Sequence, residues 1–415
     1  MRVNGAGKTL EFVSSRSIKI KDIFLDKGNW LRFFVQNKDT LRLNIIVNVG
    51  KMMVCGTVFF GFFLYVCTIC GASKRVCLTC KSRFCTSCGK KSTERWIHIN
   101  NSKIPDATWQ HITFTMPSDF WCLFWLNRSL FNDIAPVAPF IIKQYCKQAD
   151  IPCLPGIFMA IHTFGRDLKR NVHFHLSSTC GGIALANPVW VAVYFKDAIL
   201  KKRWRYLVIK TLKSSYLAGG FKLPFKLRHI KTFTNFEAWL NKFYRKTWMV
   251  FLQKQTSNKK QNIDYLGRYI TRPPLSEARI LSYDGEIVSF EFFDHMTKEK
   301  AVKSMSVSTF IGSLVRHIPD KHFRAIRYYG FLSNRTRSQY LPIVNLILEN
   351  NFHQPQKSIS WVELQMSEFN HNPLKCDACQ QQMALVDVSF PDKAVCHEAL
   401  HYKLSSQQYA VTSGF

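Results

Sequence analysis

The chain has 415 residues, with 57 Lys and Arg against 27 Asp and Glu, so its formal net charge at neutral pH is +30. Apolar residues make up 47% of the chain and aromatic residues 14%, a composition that excludes an intrinsically disordered protein. The length is enough for two or three domains, and the cationic excess indicates a polyanionic partner, either nucleic acid or an anionic membrane surface.

The positive charge is concentrated in the middle of the chain. Residues 166–272 contain 22 Lys and Arg and four Asp and Glu, whereas residues 351–415 contain four basic and six acidic residues. We therefore expect a polyanion-binding surface in the central stretch. Its basic residues near the motifs discussed below are Arg166, Lys169, Arg170, Arg268 and Arg272.

No segment predicts export or insertion into a membrane. Residues 1–20 lack the apolar stretch of a secretory signal. The most apolar run, residues 53–66, is shorter than the roughly 18–20 residues that span a bilayer, so we expect a buried element there. A protein that stays in the cytoplasm should keep its cysteines as thiols or metal ligands rather than as disulfides.

The predicted elements form an α+β fold, with helices packed on an antiparallel sheet. Residues 1–66 are expected to form a mostly helical lead-in, and residues 67–100 a cysteine-rich module. Strands are predicted at 109–116, 157–163 and 172–179 from their alternation and β-branched content. The charged turn at 165–171 should join the last two strands as a hairpin.

The rest of the catalytic domain, which we place at 105–350, is predicted to alternate between helices and a hairpin. Its elements are a basic helical insertion at 195–250 with a break at 219–224, a short helix at 263–271 stopped by two prolines, a hairpin at 280–293 around Asp284-Gly285, and a helix at 307–317. Residues 351–415 form a C-terminal segment.

Three Cys-x-x-Cys pairs within 22 residues predict a zinc-binding module. They are Cys67 with Cys70, Cys77 with Cys80, and Cys85 with Cys88. Two such pairs complete one tetrahedral site, so six cysteines are too many for one zinc ion and too few for two separate ions. One pair is spare, or two thiolates bridge two ions, or a further residue such as His98 completes a second site. Interleaved lysines suit a DNA-contacting module.

A fourth Cys-x-x-Cys pair, Cys376 with Cys379, is a candidate for a second zinc site in the C-terminal segment. A lone pair of this kind is weak evidence, because it needs two more ligands. His371, Cys396 and His397 are near enough in sequence to supply them.

A histidine pair and a tyrosine pair together indicate one catalytic site. His173 and His175 alternate on a predicted strand, so both imidazoles face the same side and can share one divalent metal. Tyr265 and Tyr269 lie four residues apart on a predicted helix and share one face. A phenolate can attack a phosphodiester to form a covalent phosphotyrosine, and a nearby divalent metal stabilises the developing charge. Arg268 and Arg272 flank the helix and could assist.

With these motifs in place, the sequence resembles the two-tyrosine rolling-circle transposases of bacterial insertion sequences, of the HUH endonuclease class and related to helitron transposases. The resemblance rests on YVCTICGASKRVCLTCKSRFCTSCGKK, GIFMAIHTFGRDLKRNVHFHLSSTCGG, YLGRYITRPPLSEARI, RHIPDKHFRAIRYYGFLSNRTR and NPLKCDACQQQM, in that order.

The resemblance implies a zinc-binding module ahead of an HUH palm, in which the histidine strand is central in the sheet and the tyrosine helix packs across it. It makes His173 and His175 ligands of Mg²⁺ or Mn²⁺ and Tyr265 and Tyr269 nucleophiles. Gln261 is our candidate for the third metal ligand, with Asp264 as the alternative.

The implied activity is cleavage and rejoining of single-stranded DNA at the element ends, with tyrosine joined to the 5′ phosphate. The protein is expected at the bacterial nucleoid, without membrane contact, with strand separation supplied by a host helicase or by supercoiling. The alternatives are a non-catalytic zinc-dependent DNA-binding protein that represses its own element, or an HUH replication initiator or relaxase.

Overall fold

The computed structural model describes residues 18–270, 273–294, 297–349, 360–370 and 372–390. The strands in this part of the chain are β1 Phe62–Cys67, β2 Ser73–Cys77, β3 Trp109–Thr115, β4 Cys153–Phe164, β5 Arg170–Ala184, β6 Trp190–Ala192, β7 Val250–Leu252, β8 Ile280–Tyr283, β9 Ile287–Asp294, β10 Glu299–Ser306, β11 Ile326–Gly330 and β12 Met383–Ser389. The helices are α1 Ile20–Leu25, α2 Asn29–Asn37, α3 Leu43–Met53, α4 Thr86–Lys103, α5 Trp121–Leu126, α6 Leu130–Ile134, α7 Val137–Lys147, α8 Asp197–Leu217, α9 Phe233–Asn241, α10 Lys259–Ile270, α11 Val307–Val315, α12 Arg337–Ile347 and α13 Trp361–Phe369.

A six-stranded sheet forms the centre of the fold. Its strand order is β11-β4-β5-β3-β7, and β6 pairs with the far end of β5. Every strand pairing among the described residues is antiparallel. The α+β prediction is therefore confirmed, and so is the hairpin of β4 and β5. The strand that carries the two histidines is central in the sheet, as the resemblance implied.

The two faces of this sheet are covered by different helices. On one face, Phe174 packs against Trp204 of α8 with ring centroids 5.6 Å apart, within a core that includes residues of α5 to α9. The other face carries the side chains that alternate with Phe174, including His173 and His175. Here Ile263 of α10 is buried with residues of β4. The basic insertion thus packs behind the sheet, on the side away from the histidines.

The N-terminal helices pack against a second sheet. Helices α1 to α3 share a core with α11 and with the antiparallel sheet of β8, β9 and β10, in which Phe24, Trp30, Phe290 and Phe310 are fully or almost fully buried. The predicted turn at Asp284 joins β8 to β9, and its carboxylate accepts hydrogen bonds from two backbone amides. The hairpin and the helix from residue 307 are confirmed.

The apolar run at residues 53–66 is not a buried helix. It divides into the end of α3, a short 3₁₀ turn and β1, and most of its residues are half-buried. The expectation of a buried element was wrong because β1 lies in a small three-stranded sheet, between β12 and β2, that has little cover. Within the described part of the chain, no helix is both long and apolar enough to cross a membrane.

Candidate active site

Three histidine side chains cluster on one face of the central sheet. His173 and His175 lie on β5, and His162 lies on β4 directly opposite His173. Because paired residues share a face, all three imidazoles project to the same side. Their ring centroids are 4.8–5.2 Å apart, and one nitrogen from each lies within 4.8 Å of the others. Three convergent imidazoles form a donor set that could hold one metal ion.

Two of the imidazoles are held in the neutral form that a metal requires. Burial lowers the pKa of His173 to about 4 and lowers the pKa of His175 well below its ordinary value. The Nδ1 atom of His173 lies 3.1 Å from the carbonyl oxygen of Asn171. Because a carbonyl oxygen only accepts, that nitrogen carries the proton, and the Nε2 lone pair of His173 remains for a metal.

A buried chain of hydrogen bonds runs from His175 to helix α10. The Nδ1 atom of His175 lies 3.0 Å from Nε2 of His111, and Nδ1 of His111 lies 3.3 Å from the Ser177 hydroxyl. That hydroxyl donates to the side-chain oxygen of Asn262 on α10, at 2.9 Å. If His175 donates to His111 and His111 to Ser177, the Nε2 atom of His175 is left for a metal. The chain also fixes α10 relative to the histidine strand.

Tyr265 and Tyr269 both lie on α10, and the predicted helix is confirmed. They follow Asn262 by three and seven residues, and the side chains of both tyrosines lie outside what the structure describes. Gly267 lies between them and packs against Ile97 of α4. Ile263 of α10 is buried with residues of β4, and Asn262 accepts the hydrogen bond from Ser177 of β5, so the helix packs across the histidine face, as the resemblance implied. It starts at residue 259, four residues before the predicted start, and the predicted end at 271 lies outside the described residues.

Gln261 and Asp264, the residues proposed as third ligand, both lie on α10. The exposed Gln261 side chain accepts a hydrogen bond from the Thr256 hydroxyl, at 3.3 Å. Asp264 is half-buried on α10 and does not belong to the histidine cluster. His162, which the sequence reasoning missed, joins His173 and His175 in the cluster.

A cleft of about 1090 Å³ opens over the histidines. Its walls come from β3, β4 and β5, from the first turns of α4, from residues 273–279, and from Gln365 of α13. Exposed Phe251 lines it and offers a flat ring on which a base can stack. The described lining residues include one acidic side chain, Glu277, and four basic ones, Lys90, Lys91, Arg166 and Arg279.

Eight cysteines form two groups of four. The first group contains Cys55, Cys80, Cys85 and Cys88, and the second contains Cys67, Cys70, Cys376 and Cys379. In each group the sulfur atoms lie within 4.8 Å of one another, which suits tetrahedral thiolate ligation of zinc. None of these cysteines is in a disulfide. The six cysteines considered from the sequence were too many for one zinc ion and too few for two. The eight cysteines grouped in the structure are enough for two four-ligand sites.

The comparisons with known proteins agree with this geometry. Residues 28–116 match the family described as "Transposase zinc-binding domain", and residues 156–339 match the family described as "Putative transposase". The chain is 34% identical over 367 residues to the transposase for insertion sequence element IS801 of Pseudomonas savastanoi pv. phaseolicola, covering 88% of each chain. The chain belongs to the IS91-type rolling-circle transposases.

This transposase is also 24% identical over 382 residues to the protein named "Putative transposase y4qJ" of Sinorhizobium fredii (strain NBRC 101917 / NGR234), covering 89% of this chain and 95% of the relative. No solved structure has significant similarity to the chain. Membership of a transposase family makes DNA the partner and decides between the two polyanions that the net charge allowed.

The predicted DNA contacts of the transposase have different surroundings. Arg166 lines the cleft, and its guanidinium lies 5.6 Å from the ring of Phe293. Lys169 is exposed and pairs with Asp167, at 3.1 Å. Arg170 packs over the ring of Trp125, at 5.1 Å. The side chain of Arg268, and all of Arg272, lie outside what the structure describes.

Two of the cysteine assignments changed in the structure of the transposase. Cys77 is the last residue of β2 and belongs to neither group. Cys55, which has no Cys-x-x-Cys partner, takes the fourth place beside Cys80, Cys85 and Cys88. The backbone amide of Cys80 donates to the Cys55 sulfur, at 3.3 Å. His98 is in neither group, and His371, Cys396 and His397 lie outside the described residues.

Proposed function

We propose that the transposase cleaves single-stranded DNA at the ends of its element and rejoins it to a target strand, with Tyr265 and Tyr269 as nucleophiles. One observation carries this proposal. The three clustered histidines and the helix that carries both tyrosines lie on the same face of one sheet. Buried hydrogen bonds connect His175 to this helix.

The metal of this site is proposed to be held by His162, His173 and His175, with His162 in place of Gln261. Three imidazoles suit a transition metal better than Mg²⁺, which prefers oxygen ligands and water. Mn²⁺ is therefore the better fit of the two expected ions. When bound, such an ion polarises the scissile phosphate and stabilises the charge that develops there.

The nucleophilic step exchanges one phosphate ester for another. The phenolic oxygen of one tyrosine bonds to the phosphorus and loses its proton to solvent, while the bond from phosphorus to the 3′ oxygen breaks and that oxygen takes up a proton. The product is a 5′-phosphotyrosine and a free 3′-hydroxyl. A second tyrosine on the same helical face allows a second cleavage before the first DNA end is released.

The cleft suits a single strand. Lys90 and Lys91 of α4 lie on one wall, and Arg166 and Arg279 line it as well, so phosphates along the strand meet positive charge. Phe251, with 57% of its surface exposed, supplies a stacking surface for a base. Because Lys90 and Lys91 follow Cys88 on α4 after one intervening residue, a zinc ion in the first group would fix the wall that they form.

The proposal is tested by incubating the full-length transposase with end-labelled single-stranded DNA of the element ends and Mn²⁺. A covalent adduct that survives denaturing electrophoresis is expected. It should be lost in the Tyr265→Phe, Tyr269→Phe double variant and kept in Tyr194→Phe, which changes an exposed tyrosine on another part of the surface.

Three single substitutions test which residues bind the metal. His162→Ala should abolish Mn²⁺-dependent adduct formation, whereas Gln261→Ala and the exposed-surface variant His229→Ala should retain it. An adduct that persists in the double tyrosine variant would refute the nucleophile assignment. Absence of any adduct with the wild-type protein would favour a DNA-binding protein without catalysis.

A further inference from the structure

Two Cys-x-x-Cys turns from opposite ends of the chain have the same backbone geometry. In one turn the amide of Gly71 donates to the Cys67 carbonyl, and in the other the amide of Gln380 donates to the Cys376 carbonyl, both at 2.9 Å. In both turns the fifth residue is left-handed, with φ of 70° at Gly71 and 60° at Gln380. The amide of the first cysteine bonds five residues on, to Ala72 in one turn and to Gln381 in the other.

Backbone amides within each turn also point at the sulfur of the first cysteine. The amides of Cys70 and Ile69 donate to the Cys67 sulfur. In the second turn, the amides of Cys379 and Ala378 donate to the Cys376 sulfur in the same way. Donors directed at sulfur stabilise a metal-bound thiolate through the same contacts.

The two turns face each other, and the first cysteine of each turn lies next to the second cysteine of the other. Cys67 Sγ lies 3.4 Å from Cys379 Sγ, and Cys70 Sγ lies 3.5 Å from Cys376 Sγ. These distances exceed a disulfide bond of about 2.05 Å. They are close to the spacing of roughly 3.8 Å between thiolates that each lie 2.3 Å from one tetrahedral zinc ion.

The second turn brings a whole segment of chain with it. Directly after it, β12 pairs with β1 so that Met383 lies opposite Cys67. Before it, α13 packs against α4 and places Gln365 in the wall of the cleft. The Gln365 side chain is 8% exposed, and its Nε2 has no hydrogen-bond partner among the described residues. A buried donor without a partner at a cleft wall is suited to a ligand that supplies an acceptor.

We propose that Cys67, Cys70, Cys376 and Cys379 bind a structural zinc ion that fastens residues 360–390 to the cysteine-rich module of residues 67–100. This attachment places Gln365 as a hydrogen-bond donor to the DNA strand in the cleft. The zinc assignment stands independently of strand cleavage, whereas the DNA contact rests on the proposed function. The zinc would join two segments more than 300 residues apart in sequence, so the C-terminal segment becomes part of the DNA-binding cleft.

The zinc content of the full chain tests the first half. Mass spectrometry of the metal should find two zinc ions in the wild type, one in the Cys376→Ser, Cys379→Ser double variant, and two in Cys77→Ser, whose sulfur belongs to neither group. Hydrogen exchange of residues 361–369 and 383–389 should be faster in the double serine variant and unchanged in Cys77→Ser. Two zinc ions in the double serine variant would overturn the assignment.

A conservative variant covers the case in which the double serine variant does not fold. Cys379→His keeps a zinc ligand at the same place, so it should retain two metal ions. After cobalt substitution, its sulfur-to-cobalt absorption should fall by about one part in eight, because one of eight thiolates is gone. An unchanged cobalt spectrum would show that Cys379 is not a ligand and would overturn the proposal.

The affinity for single-stranded DNA tests the second half, measured by fluorescence anisotropy without a divalent cation so that no cleavage occurs. Gln365→Ala should retain two zinc ions and bind about 3–10-fold more weakly, the loss expected for one hydrogen bond. The exposed-residue control Gln148→Ala should bind like the wild type. Binding of Gln365→Ala within twofold of the wild type would overturn the DNA contact. Neither readout requires cleavage, so a failure of the cleavage proposal leaves both interpretable.

Discussion

The contact between Gly267 and Ile97 offers a direct test of how the tyrosine helix is placed. Gly267 lies on α10 between the two tyrosine positions, and a Cβ atom added there would lie 2.7 Å from both Cδ1 and Cγ1 of Ile97 on α4. Real Cβ atoms do not approach that closely, so Gly267→Ala must move either the Ile97 side chain or the helix.

Two opposing effects set the magnitude. Alanine in place of glycine inside a helix stabilises it by about 1 kcal/mol, whereas overpacking at a helix contact costs about 1–3 kcal/mol. In the wild type, Gly267→Ala should therefore destabilise the protein by up to about 2 kcal/mol. In an Ile97→Ala background, Cδ1 and Cγ1 are absent, so the same substitution should stabilise by up to about 1 kcal/mol.

The assay is urea unfolding of the four proteins of this double-mutant cycle, followed by tryptophan fluorescence. Adduct formation on single-stranded DNA should follow the same reversal, because the substitution displaces the segment that carries both tyrosines. Equal effects of Gly267→Ala in both backgrounds would refute the packing of α10 on α4, since propensity alone does not depend on Ile97.

Three further predictions address the metal, the pH dependence and the basic surface. His111→Phe removes the hydrogen-bond partner of His175 and should weaken Mn²⁺ affinity by about 10–100-fold in calorimetry, while Tyr194→Phe should not. Burial lowers the pKa of His317 to about 3, so the folded protein keeps this side chain neutral while the unfolded chain takes up a proton below about pH 6.5. The free energy of unfolding should therefore decrease as the pH falls below 6.5. Between pH 7.5 and 5 the wild-type protein should lose about 2 kcal/mol of unfolding free energy from this histidine. The urea midpoint of His317→Gln should therefore fall less than that of the wild type over the same pH range. An equal fall in the two proteins would contradict the prediction. Lys202→Glu with Lys210→Glu, both exposed on α8, should reduce the salt dependence of duplex binding and leave adduct formation on a short single strand unchanged.

Local patterns predicted those parts of the site that depend on neighbouring residues. The alternation of Val172 to Leu176 placed His173 and His175 on one face, and the turn at 165–171 placed two strands side by side. The same hairpin also contained the signal for the third histidine of the cluster. Strands that meet across this turn bring residue 162 opposite residue 173, so His162 could have been found by counting outward from the turn.

Contacts between distant segments could not be predicted in this way. Cys55 has no nearby cysteine at metal-ligand spacing, and it becomes a ligand candidate only because the fold brings its sulfur to 3.6 Å from that of Cys88, in the first turn of α4. Cys376 and Cys379 find their partners through the pairing of β12 with β1, more than 300 residues away. Spacing within a motif limits which cysteines can share an ion, but tertiary packing decides which of them do.

The positive charge illustrates the same limit. The concentration of basic residues in 166–272 predicted one polyanion-binding surface in that stretch. In the structure, α8 and α9 of this stretch pack behind the sheet, while much of the charge in the cleft comes from Lys90 and Lys91 of the N-terminal module. Among the described Lys and Arg side chains of residues 166–272, Arg166 alone lines the cleft. We expect the exposed lysines behind the sheet to contact a different stretch of DNA, so a charge reversal there should separate duplex binding from strand cleavage.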